Sequence, residues 1–247
     1  MYYYVYDEFV QDTKYERDLS LIETRLTDLG ISGKIARLAL FRDASELIRD
    51  EVRRGVKTVV AVGNDETLQK VMDAVADTGV ALALIPLGAQ NRIADLLGVP
   101  AGVEACDVLS ARMIQELDIG SVNGMRFLHE VVIHAPKAPV VNCDGQFSLN
   151  TPGSVDVEVR NLALADEDVR AANPTDGRLE IALRVPKSGW FSKKSQHTTL
   201  VPVEQAVITS DVPMTLTTDG QSFEAKEFYI KAIPSQLRVV TGRGRKF

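Results

Sequence analysis

Asp65, Glu66 and Thr67 stand directly after a run of small apolar residues, Val60-Ala61-Val62-Gly63-Asn64. Gly88, Gln90, Asn91 and Arg92 follow a second apolar run, Ile85-Pro86-Leu87. A carboxylate, a hydroxyl, an amide and a guanidinium at the ends of such runs are the groups that hold a phosphate or activate a hydroxyl. Glycine in each turn lets backbone amides come close to an anion. Two turns of this kind, at the carboxyl ends of neighbouring parallel strands, form the crevice in which nucleotides bind. Asp65 reads equally as an ordinary helix N-cap ahead of Leu68.

The elements that must position these groups come from hydrophobic periodicity. Tyr2 to Tyr6 forms a strand of β-favouring aromatic residues. Leu19, Ile22, Leu26 and Leu29 recur at helical spacing, and Gly30 supplies a C-terminal cap. Ile35 to Phe41 predicts a second strand, then a helix capped by Asp43 or Ser45 and buried through Leu47, Ile48 and Val52. Thr58 to Val62 and Ala81 to Ile85 are unbroken apolar runs, as expected of parallel strands covered on both faces. Helices follow at Leu68 to Val75, at Ile93 to Leu97, and from Val103 to Leu117. The repeated strand–helix order predicts a doubly wound parallel sheet.

After Asp118 the pattern changes to short strands divided by Asn123-Gly124, Asp144-Gly145, Pro152-Gly153, Asp176-Gly177 and Asp219-Gly220. That spacing predicts an antiparallel sandwich. The expected fold is therefore α/β: a doubly wound parallel-sheet domain over residues 1–120, then an antiparallel β-sandwich over 121–247.

The 247 residues are 45% hydrophobic and 25% charged, as in globular proteins. A net charge of −6 argues against a general nucleic-acid binder, which needs a basic surface. No apolar run reaches the roughly 18 residues of a membrane span. The first residues lack the basic start and apolar core of a secretory signal. Cys106 and Cys143 have neither metal nor redox spacing, and a reduced, cytoplasmic setting is the expectation. His129, His134 and His197 show no ligand spacing either.

The two turns resemble those of the diacylglycerol kinase-like lipid kinase superfamily, Gly-Gly-Asp-Gly-Thr and Pro-Leu-Gly-Thr-Gly-Asn-Asp. The resemblance extends to Leu117-Asp118-Ile119-Gly120…Asn123-Gly124, to Asp176-Gly177-Arg178-Leu179, and to Asp219-Gly220-Gln221. It implies ATP-dependent phosphoryl transfer to a lipid hydroxyl with Mg²⁺. By resemblance Asp65 is the catalytic, acceptor-side carboxylate. Gly63, Asn64, Glu66, Thr67, Gly88 and Asn91 hold the nucleotide, and Asp118 belongs to a magnesium-associated acidic network.

Several positions depart from the family pattern. Asn64 and Glu66 replace glycines in the first turn, and Asn tolerates positive φ. Gln90 replaces a glycine and Arg92 an aspartate in the second, and Gln221 replaces a glutamate. Glu66 could pair with Arg92. Tyr6-Asp7-Glu8-Phe9 stands in place of an Asn-Pro-x-Ser-Gly phosphate loop, and the helical stretch that walls the lipid site after Phe127 is missing. These changes keep open a second reading: a kinase fold without chemistry that binds nucleotide or lipid as a sensor or regulatory module. Trp190, Phe191, Lys193 and Lys194 suit a peripheral membrane contact, or a loop folded back over the sandwich. The Arg243-to-Lys246 tail is a further basic segment, and an unpaired sandwich edge is compatible with a homo-oligomer.

Overall fold

The computed structural model describes residues 1–38, 44–151, 153–165, 169–185, 197–218 and 221–247, without the side chains of residues 44, 185, 197 and 221. The first part contains β1 (Tyr2–Tyr6), α1 (Glu16–Asp28), β2 (Lys34–Arg37), α2 (Ala44–Arg53), β3 (Thr58–Gly63), α3 (Asp65–Val75), β4 (Ala81–Pro86), α4 (Arg92–Leu97) and α5 (Ala105–Ala111). The second contains β5 (Ile114–Val122), β6 (Met125–Phe127), β7 (Glu130–Ala135), β8 (Val140–Cys143), β9 (Phe147–Asn150) and β10 (Val155–Arg160). It continues through β11 (Leu179–Val185), β12 (His197–Val203), β13 (Gln205–Thr218) and β14 (Gln221–Val240). The chain forms two compact units: Met1–Leu117 with Gln236–Lys246, and Asp118–Ser235.

In the first unit the strand order is β2-β1-β3-β4, with the end of β14 beside β4, and all pairings are parallel. β3 and β4 are buried along their whole length, which explains their unbroken apolar runs. The chain leaves β1 toward β2 on one side and returns to β3 on the other. The topological switch point therefore lies between the carboxyl ends of β1 and β3, next to the first turn.

Two expectations need correction here. The helix expected from Val103 to Leu117 ends at Ala111, where Arg112 takes a left-handed φ of 51° and the chain turns into β5. No glycine or proline marks that break, and Ile114 and Leu117 fit a helical face as well as a strand. Leu237 to Val240 reads as a sandwich strand, yet Arg238 and Val239 pair in parallel with Ala81 and Leu82 of the first unit. The strand expected at Ile35 to Phe41 is observed from Lys34 to Arg37, and residues 39–43, with the Asp43 cap, lie outside the described residues. Ser45 sits inside α2 and is not its cap.

The basic tail is built into the first unit. Gly242 and Lys246 donate their backbone N–H groups to Leu97 O and Leu96 O at the end of α4, both at 2.9 Å. A Cβ on Gly242 would fall 1.8 Å from Gly98 O, so only glycine permits this approach.

In the second unit β12, β11, β10 and β7 run antiparallel in that order, and β7 joins β13. β13 pairs with β7 through Thr215 to Thr217 but with β8 through Ala206 to Thr209, its register shifting between Thr209 and Met214. One long strand thus serves two neighbours, and their inward residues, Ile133 and Leu216 with Val141 and Ile208, share one apolar core. This is the expected antiparallel sandwich.

Both cysteines are free and buried. Burial, reinforced by Asp107 and opposed by Arg25, pushes the Cys106 thiol from its ordinary 9.0 up to about 11. Burial likewise raises Tyr4 and Tyr6 of β1. Because the native thiol holds its proton more tightly, its contribution is complete below pH 9 and is lost as the pH climbs toward 11. Urea unfolding at pH 8 and pH 10.5 should show a loss of up to about 2 kcal/mol, and Cys106→Ala should shrink that loss.

Candidate functional site

The first turn is organised by a reciprocal cap. Asn64 Oδ1 accepts from Thr67 N at 3.2 Å, and Asn64 N donates to Thr67 Oγ1 at 3.1 Å. Asn64 adopts an extended backbone, φ −108° and ψ −168°, so its tolerance of positive φ is not what suits it to this place. Its capping oxygen is. Gly63 is needed because an added Cβ would lie 2.2 Å from Thr67 Oγ1. Glu66 is exposed in the first turn of α3, where the helix dipole favours a carboxylate.

Asp65 connects this turn to the second one. Its N–H donates to Gln90 O at 3.0 Å. Its Oδ2 accepts from Arg92 N at 2.8 Å and its Oδ1 from Ile93 N at 3.1 Å. Leu87 N donates to Gly63 O at 2.8 Å, which completes the junction. Asp65 is 6% exposed. The two turns are therefore adjacent, and the carboxylate caps the first amides of α4; the cap expected of it ahead of Leu68 is supplied by Asn64 instead.

In the second turn Gln90 has φ 64° at the position where the resembled pattern has glycine. The left-handed backbone is retained while the residue suited to it is replaced. Gly88 is exposed with φ 78°, and Phe9 and Tyr15 flank it: an added Cβ would meet Phe9 at 2.9 Å and the Tyr15 hydroxyl at 3.1 Å. Phe9 and Tyr15 pack edge to face with centroids 5.7 Å apart. Asn91 donates from Nδ2 to Gly88 O at 2.9 Å, and its buried Oδ1 has no hydrogen-bond partner among the described residues.

Asp7, at the carboxyl end of β1, joins the site although sequence reasoning gave it no role. It is 6% exposed. Its Oδ2 accepts from Thr67 Oγ1 at 2.8 Å and from Lys70 Nζ at 3.2 Å. The available signal was an acid directly after a buried strand, followed by Glu8, with a lysine about one turn into α3.

Asp118 belongs to the second unit, where it is 1% exposed. Its Oδ2 accepts from Gly177 N at 2.7 Å, its Oδ1 from Ser235 N at 2.8 Å, and its own N–H donates to Pro174 O at 2.7 Å. Asp118 thus bolts the 174–177 turn in place. No group of acids, histidines or cysteines able to hold a metal occurs among the described residues. Trp190, Phe191, Lys193, Lys194 and Asp219-Gly220 lie outside the described residues, as does the Gln221 side chain.

A parallel sheet carrying two adjoined turns, followed by an antiparallel sandwich, is the architecture of the diacylglycerol kinases. Residues 3–122 match the family described as the diacylglycerol kinase catalytic domain. The chain is 37% identical over 89 residues to a protein named Probable lipid kinase YegS-like from Pseudomonas aeruginosa, strain UCBPP-PA14. It is 31% identical over 91 residues to the diacylglycerol kinase of Bacillus subtilis. Each match takes in 35% of this chain and 30% of the relative's own length. A diacylglycerol kinase crystal structure from Bacillus anthracis superimposes with a TM-score of 0.81 at 17% identity, over 99% of this chain and 98% of that one. Over residues 3–122, a little under half of its length, the chain is similar to the diacylglycerol kinase catalytic domain family, and over its whole length it shares the fold of these solved structures.

Gln90 offers a direct test of the second turn's geometry. Replacing it by glycine should relieve the left-handed strain and stabilise the protein by roughly 0.5–1 kcal/mol. Thermal unfolding of Gln90→Gly and Gln90→Ala checks this, with only the former expected to gain.

Proposed function

We propose that this chain uses the kinase fold to bind a lipid and does not transfer phosphate. The observation that carries this reading is Asp65, both of whose carboxylate oxygens accept backbone amides of α4. Burial and the two amide bonds hold the carboxylate against α4, which leaves it little access to a hydroxyl it would have to deprotonate. The nucleotide side supports the same conclusion. The Thr67 hydroxyl is engaged by Asp7 and Asn64, and Glu66 adds negative charge beside the place a triphosphate would take. Each unscreened carboxylate there would repel a phosphate by about 1 kcal/mol in water-like surroundings, and by more in a drier crevice.

ATP and Mg²⁺ do not fit the residues present. The Thr67 hydroxyl is taken up by Asp7, the first two amides of α4 by Asp65, and Asp118 holds an amide on each oxygen. The lipid side of the proposal rests on the second unit. There a cavity of about 260 Å³ is lined by Val122, Met125, Leu216, Phe223, Ala225 and Phe228, with Asn123 and Glu224 at its polar edge. An acyl chain fits that lining. No helix among the described residues is long and apolar enough to cross a membrane, so a lipid would be met at a surface or from solution.

The second reading is divergent ATP-dependent phosphoryl transfer to a diacylglycerol-like hydroxyl. In it Asp65 is catalytic, Gly63, Asn64, Glu66, Thr67, Gly88 and Asn91 bind nucleotide, and Asp118 serves the metal. The unpartnered Asn91 Oδ1 beside Gly88 favours it.

Two measurements separate the readings. Millimolar Mg–ATP should leave the melting temperature unchanged, whereas a ligand at 100 times its Kd would add roughly 2.7 kcal/mol. Labelled ATP with diacylglycerol in mixed micelles should give no phosphatidic acid. Turnover that Asp65→Asn abolishes would establish the kinase reading instead. Met125→Arg should weaken diacylglycerol binding roughly tenfold by placing a charge in the apolar cavity, and unchanged binding would remove the cavity from the proposal.

A further inference from the structure

We propose that Asp7 is an internal occupant of an anion position, and that its carboxylate holds shut a site whose donors would otherwise take inorganic pyrophosphate or a related small polyphosphate. The inference deepens the reading above by naming what fills the place a phosphate would take.

Three observations meet at Asp7. The first is position: it follows β1 directly, its N–H donates to Val62 O of β3 at 3.1 Å, and it therefore lies at the switch point of the parallel sheet. Anionic ligands of doubly wound sheets bind at that place. The second is the donor set. A threonine hydroxyl and a lysine ammonium, at 2.8 Å and 3.2 Å, are the side-chain donors that recognise phosphate oxygens. The third is burial. Thr67 is 0% exposed and Asp7 6%, while the Lys70 side chain is 52% exposed and reaches inward from the solvent edge. A buried carboxylate needs such partners, and once it has them the donors have little left for a second anion. Like charges at this distance also repel, so occupancy by Asp7 and by pyrophosphate exclude each other.

Asp7 thus does more than cap a strand. Removing its charge should uncover the Thr67 hydroxyl and release the Lys70 ammonium together. The gained ligand would be small and multiply charged, because one hydroxyl and one ammonium match adjacent phosphate oxygens and offer no apolar contact.

The test is calorimetric titration with inorganic pyrophosphate, without metal. Wild-type protein should show no heat at millimolar ligand. Asp7→Ala should bind at least roughly tenfold more tightly than wild type, and Asp7→Ala/Lys70→Ala should lose that gain. Asp7→Ser removes the charge and leaves a side chain about one atom shorter, which vacates the position beside Thr67 and Lys70, and it gives the same reading should Asp7→Ala fail to fold. No gain in either single variant, a gain that persists without Lys70, or tight binding by wild type would each overturn the proposal. Phosphoryl transfer by wild type would overturn the preceding reading, whereas missing gain in the Asp7 variants overturns only this one.

Discussion

The bonds from Arg92 N and Ile93 N to the Asp65 carboxylate set the shape of the whole nucleotide-like region. α4 has only six residues, too few to hold itself together by its own hydrogen bonds. It persists because both ends are fastened from outside. Asp65 takes the amides at its start, and the tail donates to Leu96 and Leu97 carbonyls at its end. Because Asp65 is the first residue of α3, fixing α4 also fixes the second turn against the first. The same bonds that bring the two turns together therefore hold the carboxylate against α4.

Much of this arrangement was legible before any coordinates. β3 and β4 announce themselves as fully buried strands because nothing polar interrupts Val59 to Val62 or Leu82 to Ile85, and the two turns follow at their ends. Long-range competition was not legible. Asp65 fits a catalytic base and a helix cap equally well in sequence, and the distinction depends on amides 27 and 28 positions away. Asp7 is more distant still, 60 positions from Thr67, and its importance follows from strand order, which local patterning does not encode. The reassignment of the last strand has the same origin: Leu237 to Val240 reads as β structure in any context, and only its pairing with β4 shows which unit owns it.

Turn chemistry shows a related limit. Three glycines of the resembled pattern are replaced, and the consequences differ at two of them, Asn64 and Gln90. Asn64 abandons any need for a special backbone and becomes a cap, whereas Gln90 keeps the left-handed φ and bears the strain. A substitution table treats the two alike. The difference arises from what each neighbouring helix lacks at its first turn. α3 gains a cap from Asn64 itself, while α4 already has one from Asp65, so Gln90 has no compensating hydrogen bond to offer.

A binding turn that has only lost its ligand keeps donors aimed at an empty place, and a buried donor without an acceptor costs about 1–3 kcal/mol. The described residues of the first unit are not in that condition. The Thr67 hydroxyl donates to Asp7, and the first two amides of α4 meet Asp65. Acids stand where an anionic ligand would otherwise satisfy the same groups. Such consistent replacement stabilises the unliganded turn, and it follows that any ligand of this region must displace protein contacts rather than water. The Asn91 Oδ1 is the single buried side-chain acceptor of these turns left without a partner, which makes it the point at which such displacement would meet the least resistance.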